Sequence, residues 1–282
     1  MRELRLPAGE RVATTLMWAA AAFVAGSLLW ILGDMIVRGL GGLSPAFLTS
    51  APADAGRAGG IGPILVSTLA ILAVCIGVAA PLGLATAVFL SELAVGRRGF
   101  GDLVRRSLDA LAAVPSIVFG LFGNALFCHV LGLGFSILSG GLTLACMALP
   151  LLIRTTEEAL RAVPQEQRLG AAALGLSRLT TLRRLLLPAA APGIGAGLVL
   201  GVGRAIAETA ALLFTSGYVT RMPGSLLDSG RSLSVHVFDL AMNVPGGNEN
   251  AYASACVLVL ALLAINALAV EGTRWWARRA AR

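Results

Sequence analysis

Charged side chains are scarce in this sequence, and lysine is absent altogether. Only 13% of the 282 residues are charged, whereas 57% are hydrophobic, and all 22 basic residues are arginines. A soluble domain of this size carries about 25% charged residues. The composition therefore excludes an ordinary soluble globular protein. We interpret the missing lysine as a compositional habit rather than as a functional signal.

Motifs for nucleotide, metal or covalent chemistry are also missing. The sequence has no phosphate-binding loop of the type G-x-x-x-x-G-K, so the chain is not expected to hydrolyse ATP itself. Its four cysteines lie in or beside apolar stretches without C-x-x-C spacing, which favours buried thiols. His129 and His236 are isolated, and no nucleophile stands beside a base. These absences predict that the chain is not an enzyme and holds no metal or cofactor of its own.

What the chain does contain is a series of six apolar segments. A helix needs about 20 apolar residues to cross a bilayer, and these segments are long enough or nearly so. The predicted spans are 14–37, 63–90, 108–131, 137–153, 191–213 and 252–270. The sequence therefore predicts an all-α polytopic membrane protein, with an N-terminal segment 1–13, a transmembrane domain 14–270 and a basic tail 271–282.

The arginines are distributed unevenly around these spans. If the N-terminus is cytoplasmic, the inner segments hold 17 arginines and the outer segments hold 4, while Arg204 lies within a span. Cytoplasmic loops carry an excess of arginine and lysine. This bias predicts that both termini are cytoplasmic. The net charge of +7 is thereby explained without a nucleic-acid partner.

Two connections are long enough to have structure of their own. The inner connection 154–190 is rich in helix-forming residues. Pro164 suits the first turn of a helix, Gly175 suits its end, and Ser177 can cap a second helix. The pattern predicts helix, tight turn, helix, with the return to the membrane at Pro188. The outer connection, about 214–250, is compatible with a short surface helix or with an ordinary loop.

The fifth span carries two ionisable residues, Arg204 and Glu208. An ionisable side chain at mid-bilayer costs roughly 2.5–3.5 kcal/mol, and such residues usually face protein or water. The two residues are four apart, so on a continuous helix they share a face and can pair, and that face also carries Gly193, Gly197 and Gly201. Two interpretations stay open: Arg204 attracts an anion in a translocation path, or the pair locks two helices together.

The third span has a second face of small and polar residues, which includes Ser116, Gly120, Gly123 and Asn124. Such residues suit close helix packing or the lining of a pore. Ser116 and Asn124 are therefore candidate residues of the translocation path, alongside Arg204 and Glu208.

The inner connection reads TEEALRAVPQEQRLGAAALGLSRLTTLRRLLLPAAAPGI and resembles the "EAA" loop of ABC-importer permeases. In that family the loop is a helix–turn–helix that fits into a groove on the ATPase subunit. Gly175 and the pairs Leu187-Pro188 and Pro192-Gly193 match the family pattern. The E-A-A position is Leu169-Gly170-Ala171 here, and Glu166, about one turn earlier, is the candidate substitute for the missing glutamate. The resemblance implies a coupling loop that comprises Glu166, Leu169, Gly170, Ala171, Gly175, Ser177 and Arg178.

Three further stretches, GGIGPILVSTL, VPSIVFGLFG and RAIAETAALLF, look like the PstA type of phosphate-import permease. The family usually has G-E-T-A-P where this chain has Ala207-Glu208-Thr209-Ala210-Ala211. The resemblance covers about residues 58–270. It implies six transmembrane helices in the ABC-importer (MetI-like) permease fold.

The same resemblance implies a machine of several parts in the bacterial plasma membrane. Its other parts would be a second homologous permease, a pair of ATPases that bind ATP and magnesium, and an extracytoplasmic phosphate-binding protein. The function expected from the resemblance is the import of inorganic phosphate. Three alternatives stay open: the same machine with sulfate, molybdate or phosphonate as cargo, a channel or secondary transporter, or a non-transporting regulatory membrane subunit.

Overall fold

The computed structural model describes residues 8–94 and 98–280, and these residues are predominantly helical. The α-helices are α1 Ala8–Leu40, α2 Pro45–Thr49, α3 Gly62–Val88, α4 Arg98–Ala112, α5 Ser116–Gly123, α6 Ile137–Arg161, α7 Gln165–Ala173, α8 Arg178–Thr181, α9 Leu187–Ala207, α10 Ala210–Leu213, α11 Leu233–Met242 and α12 Asn248–Ala280. Turns of π-helix at Phe89–Leu93, Asn124–Val130 and Leu182–Leu186 continue α3, α5 and α8. Two short strands, β1 Pro52–Ala53 and β2 Ala58–Gly59, pair antiparallel between α2 and α3.

Five helical stretches within the described residues are long and apolar enough to cross a membrane. They are Val12–Leu40, Gly62–Leu93, Ile137–Arg161, Arg178–Ala207 and Asn248–Gly272. A sixth crossing is possible if α4 and α5 count as one bent span. The all-α, polytopic prediction is confirmed.

The predicted third span, 108–131, is wrong as a single straight helix. The chain bends by 101° between α4 and α5. The helix ends before Pro115, because a proline lacks the backbone N–H that would continue the helix and disfavours helical geometry in the residue before it. Pro115 itself is extended (φ −60°, ψ 143°). As a result, 98–112 forms an amphipathic helix whose direction differs from that of the apolar segment 116–130.

Two other boundaries differ from those expected. The fourth span does not stop near residue 153, because α6 continues to Arg161 through residues that form helices well. The helical stretch from Arg178 continues to Ala207 without a break at Pro188. A π-helical turn precedes this proline, and it lies in the first turn of α9, where its missing N–H is tolerated.

The core of the bundle forms where α3 packs against α6 and where α9 crosses them. Ile71, Leu144 and Ile206 are buried together there. Small residues allow the close approach, since an added Cβ on Gly141 would lie only 2.5 Å from Val74. The interface is the small-residue packing that membrane helices use when lipid offers no hydrophobic drive for association.

The outer connection contains a helix, α11, that is packed into the protein rather than only resting on a surface. Leu233, Val235 and Leu240 are buried. Ser232 caps the helix, and the Leu233 N–H donates to Thr68 Oγ1 at 2.9 Å. Of the two alternatives for this region, the helix is confirmed, and its contacts with the spans fix its position.

Candidate functional site

The glycine face of α9 packs against α6. An added Cβ on Gly193 would lie 2.5 Å from the Cβ of Ala159, and one on Gly197 would overlap the side chain of Thr155. Gly201 is buried on the same side. The expectation that a neighbouring helix approaches this face closely is confirmed, and that neighbour belongs to the same chain.

The exposed side of α9 ends in Arg204. Pro192, Ala196, Leu200 and Arg204, spaced four residues apart, are all exposed, and Ala207 follows them. Arg204 makes no ion pair with any residue in the described part of the chain. A guanidinium that is exposed on an apolar span requires a counter-charge, water or protein from elsewhere.

The predicted pairing of Arg204 with Glu208 is wrong, because the helix does not continue between them. It ends at Ala207, and Glu208 is extended (φ −71°, ψ 127°). The Glu208 carboxylate accepts the backbone N–H of Ala211 at 3.2 Å, and its carbonyl accepts the Ser234 hydroxyl at 2.6 Å. Glu208 therefore caps the start of α10 and helps to hold α11.

The polar face of α5 is used for packing against neighbouring segments. Gly120 lies against Ala211, and Gly123 lies against Thr143, so an added Cβ at either position would collide. The Asn124 amide donates to the Phe214 carbonyl at 2.7 Å. This contact ties α5 to the chain just after α10, which is the broken end of the fifth span.

Ser116 and Asn124 are both half-buried. Ser116 is the first residue of α5 and follows the bend, whereas the Asn124 amide is occupied by a carbonyl. Their place in a translocation path stays a prediction.

The predicted helix–turn–helix of the inner connection is confirmed in α7 and α8. Gly175 adopts φ +68°, the left-handed conformation that favours glycine at the end of a helix. The Ser177 hydroxyl accepts the Thr180 N–H at 3.2 Å and caps α8. Pro164 precedes the first residue of α7 as its N-cap rather than standing in the first turn.

The surface of this segment is apolar and basic. Leu169, Leu174 and Leu179 are exposed, Leu174 by 79%, and Arg178 is exposed as well. Exposed apolar residues of this size, gathered around the α7–α8 turn, are typical of protein–protein contact sites. Of the other coupling-loop candidates, Glu166 and Gly170 are exposed and Ala171 is buried.

A group of ion pairs, which we call the inner charge cluster (Glu92, Arg105, Glu157, Arg161 and Arg168), joins this segment to the spans. The Arg168 guanidinium donates to both carboxylate oxygens of Glu92 at 2.6 Å and to the Leu160 carbonyl at 2.8 Å. Charge-assisted bonds to a guanidinium are among the stronger hydrogen bonds in proteins. They fix α7 to the neighbouring ends of both α3 and α6.

Glu157 is the buried centre of the inner charge cluster, with its side chain 6% exposed. Its Oε1 lies 2.9 Å from Arg105 and 2.8 Å from Arg161, so two cations compensate the buried carboxylate. Arg105 also donates to the Leu90 carbonyl at 3.1 Å. The sequence pattern did not predict this cluster. Only the Glu157–Arg161 spacing of four residues was visible as a signal.

His236 is buried in α11, and its Nδ1 lacks a hydrogen-bond partner among the described residues. Burial, and to a smaller extent the nearby Arg231, lower the pKa of His236 to about 4, against the opposing effect of Asp239. The imidazole is therefore neutral at physiological pH. His129, in contrast, is exposed at the end of the α5 segment.

Comparison with known proteins identifies the family. The model of "binding-protein-dependent transport system inner membrane component" matches residues 79–281. The chain is 32% identical over 281 residues to the probable ABC transporter permease protein YqgI of Bacillus subtilis, covering 94% of each chain. It is 34% identical over 265 residues to the phosphate transport system permease protein PstA of Yersinia pestis, covering 92% of this chain and 88% of that protein.

A solved structure agrees on the fold. A chain of the MetNI methionine ABC transporter, in an inward-facing conformation, superposes with a TM-score of 0.61 at 16% identity, covering 77% of this chain and 94% of that chain. At such low identity the likeness shows the fold alone. The family match and the relatives together lead to one conclusion: the chain belongs to the family of binding-protein-dependent transport system inner membrane components and is a non-catalytic, multi-pass permease subunit of an ABC importer.

Proposed function

We propose that this permease carries inorganic phosphate across the plasma membrane into the cell. Relatives named as phosphate transport permeases support this cargo. The observation that carries the proposal is Arg204, an exposed arginine on a membrane span without an ion-pair partner in the described part of the chain. A guanidinium suits oxyanions because its planar donors match two oxygens at once.

The translocation path runs along the exposed side of α9. An uncompensated arginine at this depth is costly, and a second permease that covers this side would remove it from lipid. Cargo would then pass between the two permeases and meet Arg204 on the way. The end of α9 at Ala207 leaves polar backbone near the arginine, and irregular backbone at membrane depth occurs where protein or a water-filled cavity surrounds it.

A pair of ATPases docks on the apolar and basic surface of α7 and α8, and ATP and magnesium bind to those ATPases. Movement of α7 passes to α3 through the Arg168–Glu92 pair and to α6 through the Leu160 carbonyl. A soluble phosphate-binding protein delivers the anion from outside. The arginine bias supports the orientation in which both termini and α7 face the cytoplasm.

A different oxyanion is the second candidate cargo. Arg204 alone does not discriminate among tetrahedral anions, because a guanidinium donates equally well to sulfate, molybdate or phosphonate oxygens. Competition between cargoes in an uptake experiment separates these candidates.

The test is uptake of labelled phosphate in cells that lack this subunit, complemented with wild type, Arg204→Gln or Arg204→Lys. Leu200→Ala is the matched control, since Leu200 is exposed one turn earlier on the same side. We expect wild type and the control to restore uptake despite excess sulfate, Arg204→Gln to lose it, and Arg204→Lys to retain part. Failure of wild type to restore uptake would reject phosphate as the cargo. Full uptake by Arg204→Gln would assign the arginine a structural role.

A further inference from the structure

Helix α4 stands apart from the spans in direction and in pattern. It contains 15 residues, or about 22 Å of helix, and it lies at 101° to the apolar segment 116–130 that follows. Its contacts with Glu157 through Arg105 place it at the same end of the bundle as α7. A helix at the end of the bundle that is nearly perpendicular to an apolar segment has the direction of an in-plane helix.

One side of α4 is packed against the protein. Leu108 is buried together with Ala87, Leu90 and Ile153 at the inner ends of α3 and α6. Arg105 reinforces this side through its bonds to the Leu90 carbonyl and to Glu157. The orientation of α4 about its own axis is therefore fixed by the fold.

A second side of α4 is apolar and largely exposed. Phe100, Leu103 and Leu111 are exposed by 55%, 61% and 44%, and they fall within about 80° of the helix circumference at 100° per residue. These three large apolar side chains form one strip on a helix that connects two apolar membrane segments. The strip therefore adjoins the bilayer that those segments occupy.

One cation of α4, Arg106, lies beside that strip. Asp102 pairs with Arg105 at 2.9 Å, and Asp109 pairs with Arg154. Arg106 is exposed and makes no ion pair in residues 8–94 and 98–280. It lies three positions after Leu103, about 60° further around the helix, at the border of the apolar strip.

We infer that α4 is an in-plane membrane helix that binds anionic lipid of the inner leaflet. The strip of Phe100, Leu103 and Leu111 enters the boundary between headgroups and acyl chains, and the Arg106 guanidinium binds a lipid phosphate. Amphipathic helices with a basic border lie in the interface in this way, and the cytoplasmic leaflet carries the negative surface potential that attracts arginine. The inference is independent of the cargo.

The consequence concerns the inner ends of the spans. Because Arg105 ties α4 to α3 and α6, a lipid-bound α4 gives those ends a fixed reference at the membrane surface. When α7 moves, the ends of α3 and α6 would then move relative to a helix that the lipid holds in place, instead of moving together with it.

The test places one tryptophan of this chain on α4 in the assembled transporter in lipid nanodiscs, and the fluorescence of the same assembly without that tryptophan is subtracted. Trp18, Trp30, Trp275 and Trp276 are replaced by Phe, and Leu103→Trp is introduced, with Phe100→Trp as a second reporter if the first fails to assemble. Quenching is compared between two nanodisc preparations. In the first, phosphatidylglycerol is brominated and phosphatidylcholine is not. In the second, phosphatidylcholine is brominated and phosphatidylglycerol is not. Leu174→Trp, on the exposed surface of the α7–α8 turn, is the control outside the bilayer.

We expect strong quenching at position 103 and little at position 174. Brominated phosphatidylglycerol should quench more than brominated phosphatidylcholine, by up to about fivefold, which corresponds to the ~1 kcal/mol that one arginine contributes near an anionic surface. Arg106→Gln should reduce that ratio to about 1 and Arg106→Lys should preserve it.

Three other results would overturn the inference. A tryptophan at 103 that neither lipid quenches, with blue emission, would show that another protein covers the strip, and red emission quenched by iodide would show that it faces water. Equal quenching by the two lipids with Arg106 intact would reject anionic lipid as its partner.

Discussion

Two arginines, Arg168 and Arg204, show how differently one residue type is used at the inner end of the bundle and inside a span. Arg168 is partly buried, binds both oxygens of Glu92 and also holds the Leu160 carbonyl. Arg204 is exposed on α9 and has no ion-pair partner in the described part of the chain. The first guanidinium is already satisfied and can only hold or transmit, whereas the second is available to an anion or to another subunit.

The two arginines also differ in their position along the spans. Glu92 follows directly on the apolar run of α3, so its pair with Arg168 forms at the end of the spans, where water can reach part of it. Arg204 lies on an apolar helix one turn before the break at Glu208, where an uncompensated charge is expensive. Such a cost is tolerated when function requires the charge.

Breaking the Arg168 pair should give the largest effect. We expect Arg168→Gln to weaken retention of the ATPase on the purified permease about tenfold or more, because the loss of a hydrogen bond to a charged group costs about 1.5–3 kcal/mol. The exchange Glu92→Arg with Arg168→Glu should recover part of the loss. Arg183→Gln is the matched control, since Arg183 is exposed outside the inner charge cluster. Unchanged retention of the ATPase by Arg168→Gln would contradict a role of the Arg168–Glu92 pair in holding α7.

Disturbing the packed glycine face of α9 should give an intermediate effect. Gly197→Ala would force Thr155 on α6 to move, and such overpacking costs about 1–3 kcal/mol. We expect a lower thermal midpoint of the purified transporter and partial recovery when Thr155→Gly is added. Gly77→Ala, where an added Cβ meets nothing within 4 Å, should leave the midpoint unchanged. An equal loss in both alanine variants would argue against close packing as the cause.

Removing the charge of Glu208 should have the smallest effect of the three. It also tests most directly whether Arg204 acts without Glu208 as its partner. Glutamine can still accept the Ala211 N–H, so we expect Glu208→Gln to transport at nearly the wild-type rate. Glu208→Ala should lose about 1 kcal/mol of stability, the usual value of a cap, in a denaturation experiment. If Glu208→Gln instead lost transport as completely as Arg204→Gln, the two residues would act as a pair after all.

Features fixed by local sequence could be predicted. The spans follow from long apolar runs, and the turn in the inner connection follows from Gly175 and Ser177, whose roles depend on a few neighbouring residues. The proline bend was also encoded locally at Pro115, but the apolar pattern of 108–131 concealed it.

Features that depend on distant residues could not be predicted from one sequence. The break at Glu208 is stabilised by a hydroxyl from Ser234. The ion pair at the start of α7 joins Glu92 to Arg168, 76 residues later. Neither pair leaves a periodic signal. For the same reason the sequence placed Arg204 and Glu208 on one helix, although only Arg204 belongs to it.

The most direct test of the central claim, that an anion passes Arg204, is the reactivity of a cysteine at the neighbouring exposed position. Ala207→Cys is made with the four native cysteines replaced by alanine, and its reaction with negatively and positively charged methanethiosulfonates is timed in the assembled transporter. Leu263→Cys, exposed on α12, is the control. We predict that the anionic reagent reacts faster at 207, that phosphate slows it, and that Arg204→Gln abolishes both effects. An Ala207→Cys that reacts with neither reagent, or with both equally, would contradict an anion path at Arg204.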